Sequence, residues 1–341
     1  MTAVSRPIAV NSALKKYRKR TSVKGDIMKY TIGIDLGGTN IAAGLVDENY
    51  KIIRKTSVPT EARRSADEIT EAMASVCRTL CEEEGITVDD VSSVGIATPG
   101  TADTDSGTVI YANNLPFRNY PIAAKLKEFF PVKKVAIAND ANAAAYGEAV
   151  AGAGAGKKDF VMLTLGTGVG GGIIIDGKLY TGFNYAAGEL GHMTIVHNGR
   201  PCTCGRKGCF EAYSSATGLI KMTKEKMIDA PDSVMWELVD GDIKKVNGRT
   251  AFDGMRKGDE AAKAVVDEYL AYLATGTANI INIFQPSIVA FGGGVANERE
   301  NLLAPLRELV IKETYTTGER TEIKSAVLGN DAGIVGAAAL V

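Results

Sequence analysis

A chain of 341 residues with 45% hydrophobic and 23% charged side chains can bury two ordinary domain cores, which excludes an intrinsically disordered protein. The formal net charge of −1 is uneven: residues 1–27 carry seven basic side chains against Asp26 alone. The remainder is left near −7, which argues against a nucleic-acid surface and suits an enzyme of small molecules.

In chain order, residues 1–27 read as a solvated leader, with a basic DNA-binding arm as the alternative. They lack the apolar stretch of a secretory signal, and no run in the chain reaches the roughly 18–20 apolar residues of a membrane span. A strand is expected over 29–35, running through a glycine-rich turn into a second strand that ends at Asp47. A third strand (51–58), an amphipathic helix (66–84) and a buried strand (94–98) follow, then a helix (122–130), a strand (135–139) and a helix (142–150). Residues 161–176 repeat the opening pattern: strand, glycine-rich turn, strand, Asp176. Helices extend to about 283, and strands at 287–291 and 321–326 alternate with helices at 298–314 and 332–340. This is an α/β pattern of two similar lobes with a cleft between them.

The two glycine turns carry the chemistry. A turn without side chains lets backbone N–H groups approach a phosphate, and Asp35 at the mouth of the first is placed to hold Mg²⁺. Thr39 and Asn40 add donors there. Neither turn is a P-loop, since no Gly-Lys-Ser/Thr follows, and neither is a dinucleotide fingerprint, since each opens into a strand. A third cluster, Gly292-Gly-Gly294, is either a flat surface for an adenine base or a strand-to-helix turn.

Asn139 and Asp140 sit where a strand meets a helix. One of them suffices as an N-cap, which leaves the other to face the cleft. Farther on, Cys202, Cys204 and Cys209 crowd into eight residues of a polar, glycine-rich loop, with His192 ten positions upstream. Cys₃His is a closed set typical of structural zinc, and a redox role for Cys202 and Cys204 is the weaker alternative. Cys77 and Cys81, four apart on a helix, read as core packing. The thiols imply a reducing cytoplasm.

Asp35-Leu-Gly-Gly-Thr39, Gly166-Thr-Gly-Val-Gly-Gly-Gly172 and Gly292-Gly-Gly294 resemble the two phosphate segments and the adenosine segment of the actin-like sugar kinases. From about residue 28 to 341 the pattern resembles the ROK family (repressors, open reading frames and kinases). The resemblance implies two actin-like, ribonuclease H-like lobes: 28–139 with the closing helix 330–341, and 140–329 with the zinc loop 192–209. It implies ATP contacts at Asp35, Gly37, Gly38, Thr39 and Asn40, at Gly166, Thr167, Gly168 and Gly170, and at Gly293 and Gly294. Asp140 would be the general base, with Asn139, Glu189, His192, Glu211, Asn114 and Gly100 around the sugar.

The implied activity is ATP-dependent phosphorylation of a hexose 6-hydroxyl, with glucose the leading substrate and a homodimer as the assembly. N-acetylglucosamine, N-acetylmannosamine, fructose and allose are the alternatives, and a repressor lacking its DNA-binding domain is the alternative of another class. Phe117 stands where family glucose kinases usually carry Trp, so the pocket shape is its own.

Overall fold

Ile32, Ile34 and Leu36 alternate and are fully buried, which makes β1 (Tyr30–Leu36) a strand with one face in a core. The computed structural model describes residues 30–315 and 318–341, so the basic segment 1–27 and Lys29 lie outside it. β1 turns back antiparallel into β2 (Asn40–Val46), which pairs with β3 (Ile52–Pro59). α1 (Ala66–Glu84) opens on a capping box, with Ser65 N–H donating to Glu68 at 2.7 Å, and closes on left-handed Gly85. Its inner face buries Cys77 beside Ile69, Met73 and Leu80, the last three each worth about 1.5–3 kcal/mol. Cys77 and Cys81 are both buried, as packing residues should be.

β4 (Val91–Thr98) joins β1 in parallel. A small sheet of β5 (Thr101–Asp103), β6 (Thr108–Tyr111) and β7 (Arg118–Tyr120) follows, where the sequence predicted no element. After α2 (Ile122–Phe129), β8 (Lys134–Asn139) completes the first large sheet in the order β3-β2-β1-β4-β8. α3 (Asp140–Ala151) leads to β9 (Phe160–Leu165), β10 (Val169–Ile175) and the short β11 (Lys178–Leu179).

The helical stretch contains α4 (Glu211–Ser214), α5 (Ala216–Asp229), α6 (Met235–Leu238), α7 (Thr250–Arg256) and α8 (Glu260–Phe284). β12 (Ile288–Gly292), α9 (Glu300–Glu313), β13 (Glu322–Ser325) and α10 (Ala332–Ala339) close the chain. The second sheet runs β11-β10-β9-β12-β13, repeating the first in order and direction. The internal echo is therefore a structural duplication. Among the described residues no helix is long and apolar enough to cross a membrane.

Two helices join the sheets. α3 leaves β8 of the first sheet and packs on β9 and β10 of the second. α10 leaves β13 of the second and packs on β1 and β4 of the first. The helices also press on each other, so closely that a Cβ on Gly336 would fall 1.7 Å from Ala143 O. On the sheet side, a Cβ on Gly33 of β1 would fall 1.9 Å from Ile334 O. With no side chain between them, these backbones fix the ends of β1 and β8 relative to each other.

Candidate active site

Those strand ends carry the two carboxylates. Asp35, near the end of β1, lies against the first turn of α10, where a Cβ on Gly333 would stand 2.6 Å from Asp35 Oδ2. Burial first, and the Asp140 charge second, push the Asp35 carboxyl up to about 6. The turn beyond it is tight: Gly37 N–H donates to Asn40 O at 2.9 Å, and the Thr60 hydroxyl donates to Gly37 O at 2.7 Å. Gly38, Thr39 and Asn40 are exposed at its tip, and a Cβ on Gly38 would meet nothing.

The raised pKa has a stability consequence. The unfolded chain releases the Asp35 proton near the usual 3.8, whereas the folded protein holds it until about 6. The folded state thus binds more protons in that window, and stability falls as pH rises through it. Asp35→Asn should therefore raise the melting temperature of the ligand-free, metal-free protein by a few degrees at pH 8, a gain on the order of 2 kcal/mol. At pH 4 the gain should be much smaller. A paired melting series checks this, and an equal effect at both pH values would contradict it.

Asn139 and Asp140 divide the work at the start of α3. Asn139 is the N-cap, its Oδ1 accepting from Ala141 N–H at 3.0 Å and Asn142 N–H at 3.2 Å. Its Nδ2 donates to Gly100 O at 3.0 Å, which ties the Thr98–Gly100 turn to the helix. The helix therefore begins at Asp140 and not at 142. Asp140 Oδ1 accepts from Ala141 N–H at 2.8 Å, and the side chain lines a cavity at the start of α3. Water reaches this carboxylate from the cleft, yet the protein around it raises its pKa by burial against the lowering effect of that N–H.

Asp140 lines a cavity of about 200 Å³ together with Gly100, Asn139, Gly171, Tyr185 and Glu189. The loop over it, 180–189, crosses to the first lobe: the Tyr185 hydroxyl donates to Asp105 Oδ2 at 2.7 Å. Asn114 is exposed in the β6–β7 loop and does not line this cavity.

Glu211 also turns elsewhere. Its Oε2 accepts from Val169 N–H at 3.0 Å, and its Oε1 meets the Thr203 hydroxyl at 3.4 Å and Cys202 Sγ at 3.6 Å. It thereby ties the 202–204 loop to the second glycine turn, where a Cβ on Gly168 would strike it at 2.2 Å. That turn is otherwise bare around Gly166. Gly166 N–H donates to Gly168 O at 3.0 Å, and the Thr217 hydroxyl holds Thr167 O at 2.7 Å. Gly170 packs so near Thr164 that a Cβ would fall 2.6 Å from its hydroxyl.

Of the two expected uses of the third glycine cluster, the strand-to-helix turn is present. Gly293 has φ +85° and its backbone abuts Leu165, so it is a turn that needs glycine. Gly294 instead lines a groove of about 720 Å³ with Ala216, Asn247, Arg249, Asp253 and Asn297.

The ligand atoms of His192, Cys202, Cys204 and Cys209 all lie within 4.8 Å of one another. With Zn–S bonds of about 2.3 Å, two sulfurs around a tetrahedral zinc stand about 3.8 Å apart. Cys204 Sγ and Cys209 Sγ are 3.7 Å apart, and Cys202 Sγ is 3.7 Å from His192 Nδ1. The donor set fits. His192 Nε2 faces away from the sulfurs, 3.9 Å from Glu189 Oε2 on the cavity wall.

A profile of the ROK family matches residues 31–341. The chain belongs to the ROK family. A glucokinase from Thermotoga maritima is 37% identical over 312 residues, 91% of this chain and 96% of that protein. Among solved structures, the ROK family glucokinase of Streptomyces griseus, in complex with glucose and AMPPNP, is 35% identical with a TM-score of 0.74, covering 92% of this chain and 99% of that one. The ROK hexokinase of Thermus thermophilus is 31% identical with a TM-score of 0.77, covering 92% and 97%.

In this ROK protein, sequence reasoning missed Tyr185 and the groove residues Asn247 and Arg249. No motif surrounds them. The positive φ of Tyr185, +62°, is a property of the folded loop alone.

Proposed function

We propose that this protein transfers the γ-phosphoryl group of ATP to the 6-hydroxyl of glucose. The observation that carries the reading is Asp140, a carboxylate lining a sugar-sized cavity and near enough to Asp35 for its charge to raise the Asp35 pKa. Similarity to the glucose- and AMPPNP-bound kinase supports both substrates.

The adenosine end of ATP fits the groove beside Gly294, and the phosphates run toward Thr167, Gly168 and the Gly37–Asn40 turn. Asp35 would hold Mg²⁺, which neutralises phosphate charge as the bond to the leaving oxygen breaks. Asp140 accepts the hydroxyl proton as the new phosphorus–oxygen bond forms, leaving ADP and the sugar phosphate. Glu189 offers acceptors to sugar hydroxyls, and Asn139, with its oxygen spent on the cap, lines the same cavity and holds the Gly100 turn in place. His192, Cys202, Cys204 and Cys209 would hold a structural zinc that fixes the imidazole beside Glu189. Thiolate ligands imply a reducing compartment, the cytoplasm, and the homodimer is carried over from the family.

A coupled assay of ADP release with Mg²⁺ and a panel of sugars tests the substrate. Glucose should have the highest kcat/KM among glucose, N-acetylglucosamine, N-acetylmannosamine, fructose and allose. An N-acetyl sugar ahead of glucose by tenfold or more would assign the pocket to amino sugars.

A further inference from the structure

Glu148 is fully buried, lies two turns past Asp140 on α3, and has no part in the chemistry above. Its Oε1 accepts from Val327 N–H at 2.8 Å and from Leu328 N–H at 2.6 Å. Its Oε2 accepts from Ala153 N–H at 2.8 Å. Val327 and Leu328 belong to the segment that carries the chain from β13 of the second sheet to α10 on the first. α3 is the other element that bridges the sheets. One carboxylate thus staples the two bridges together, and each bridge bears on a reacting group: α3 begins with Asp140, and the first turn of α10 touches Asp35.

We propose that Glu148 is a positioning residue that sets the spacing of Asp35 and Asp140 by locking the two interlobe crossings. This rests on the kinase reading for its effect on rate, and on the structure alone for its effect on the backbone. A carboxylate serves here because all three partners are donors. Glutamine has nearly the same shape but presents its NH₂ to one of them, leaving a buried N–H unpaired.

The test is Glu148→Gln beside Leu80→Ala, a core variant on α1 remote from both bridges and chosen for a comparable loss of melting temperature. Glu148→Gln should lower kcat at least tenfold with KM for ATP changed much less than kcat, because the groove for the adenosine end beside Gly294 is built entirely from the second lobe. Leu80→Ala should keep kcat within twofold, both being assayed well below their melting points. A folded Glu148→Gln protein with near-normal kcat would overturn the proposal, as would a loss matched by Leu80→Ala.

Amide exchange in the unaltered protein decides the matter even where the variant does not fold. Val327 is 67% exposed, so its amide should be protected only through the staple, and the Val327, Leu328 and Ala153 amides should exchange slowly and together. Exchange of Val327 and Leu328 at the speed of open loop amides would overturn the proposal. That result is independent of which sugar, if any, the protein phosphorylates.

Discussion

Asp140→Asn should lower kcat for glucose by a factor of about 10²–10⁴, the usual worth of a positioned base. The structure limits other consequences of the change. Asn139 caps α3, so the helix start does not depend on the Asp140 charge, and an asparagine oxygen can still accept from Ala141 N–H. Circular dichroism should be unchanged and glucose affinity by calorimetry should stay within a few-fold. The same variant should lower the Asp35 pKa from about 6, since the Asp140 charge is one of its two causes. A carbon-13 titration of the Asp35 carboxyl reads this directly. An Asp140→Asn protein with kcat within tenfold of the parent would remove Asp140 from the mechanism.

Cys204→Ser should take zinc from one ion per chain to nearly none, and kcat/KM for glucose down by more than tenfold. The loss is expected at the sugar pocket because the ligand loop reaches it twice. His192 presents Nδ1 to Cys202 Sγ and Nε2 to Glu189, while Glu211 joins Cys202 and Thr203 to Val169 of the second glycine turn. Loosening the loop releases Glu189 on one side and the turn at Gly168 on the other. Cys77→Ser is the contrast: it places a hydroxyl in the core beneath α1, so it should cost stability and leave zinc content alone. Plasma emission spectrometry alongside kinetics separates the two. Full activity in metal-free protein would contradict a bracing role for the ion.

Much of this was legible because certain chemistry demands certain residues at fixed spacing. Turns that leave backbone N–H groups bare are written in glycine at Gly37–Gly38 and Gly166–Gly168, the thiolate set here falls within eight residues, and a duplicated hairpin repeats its strand pattern. All three are visible as strings of letters. The β5–β7 sheet was not, since strands of three or four residues show no period. The Asn247–Arg249 wall comes from a loop remote in sequence from every glycine cluster. Glu211 was placed at the sugar by resemblance, whereas its carboxylate here caps Val169 N–H, a contact decided by packing around Gly168. Glu148 was least legible of all. In an alanine-rich helix a lone glutamate looks solvated, and only the fold brings residues 327 and 328 onto it.

The central claim is phosphoryl transfer from ATP to the 6-hydroxyl of glucose. Phosphorus NMR of the protein with glucose, ATP and Mg²⁺ tests it most directly. The account predicts one new phosphomonoester resonance, coupled to the two C6 protons of the sugar and growing in step with ADP. ADP accumulating without a sugar phosphate, or a phosphomonoester coupled to a different carbon's proton, would contradict it.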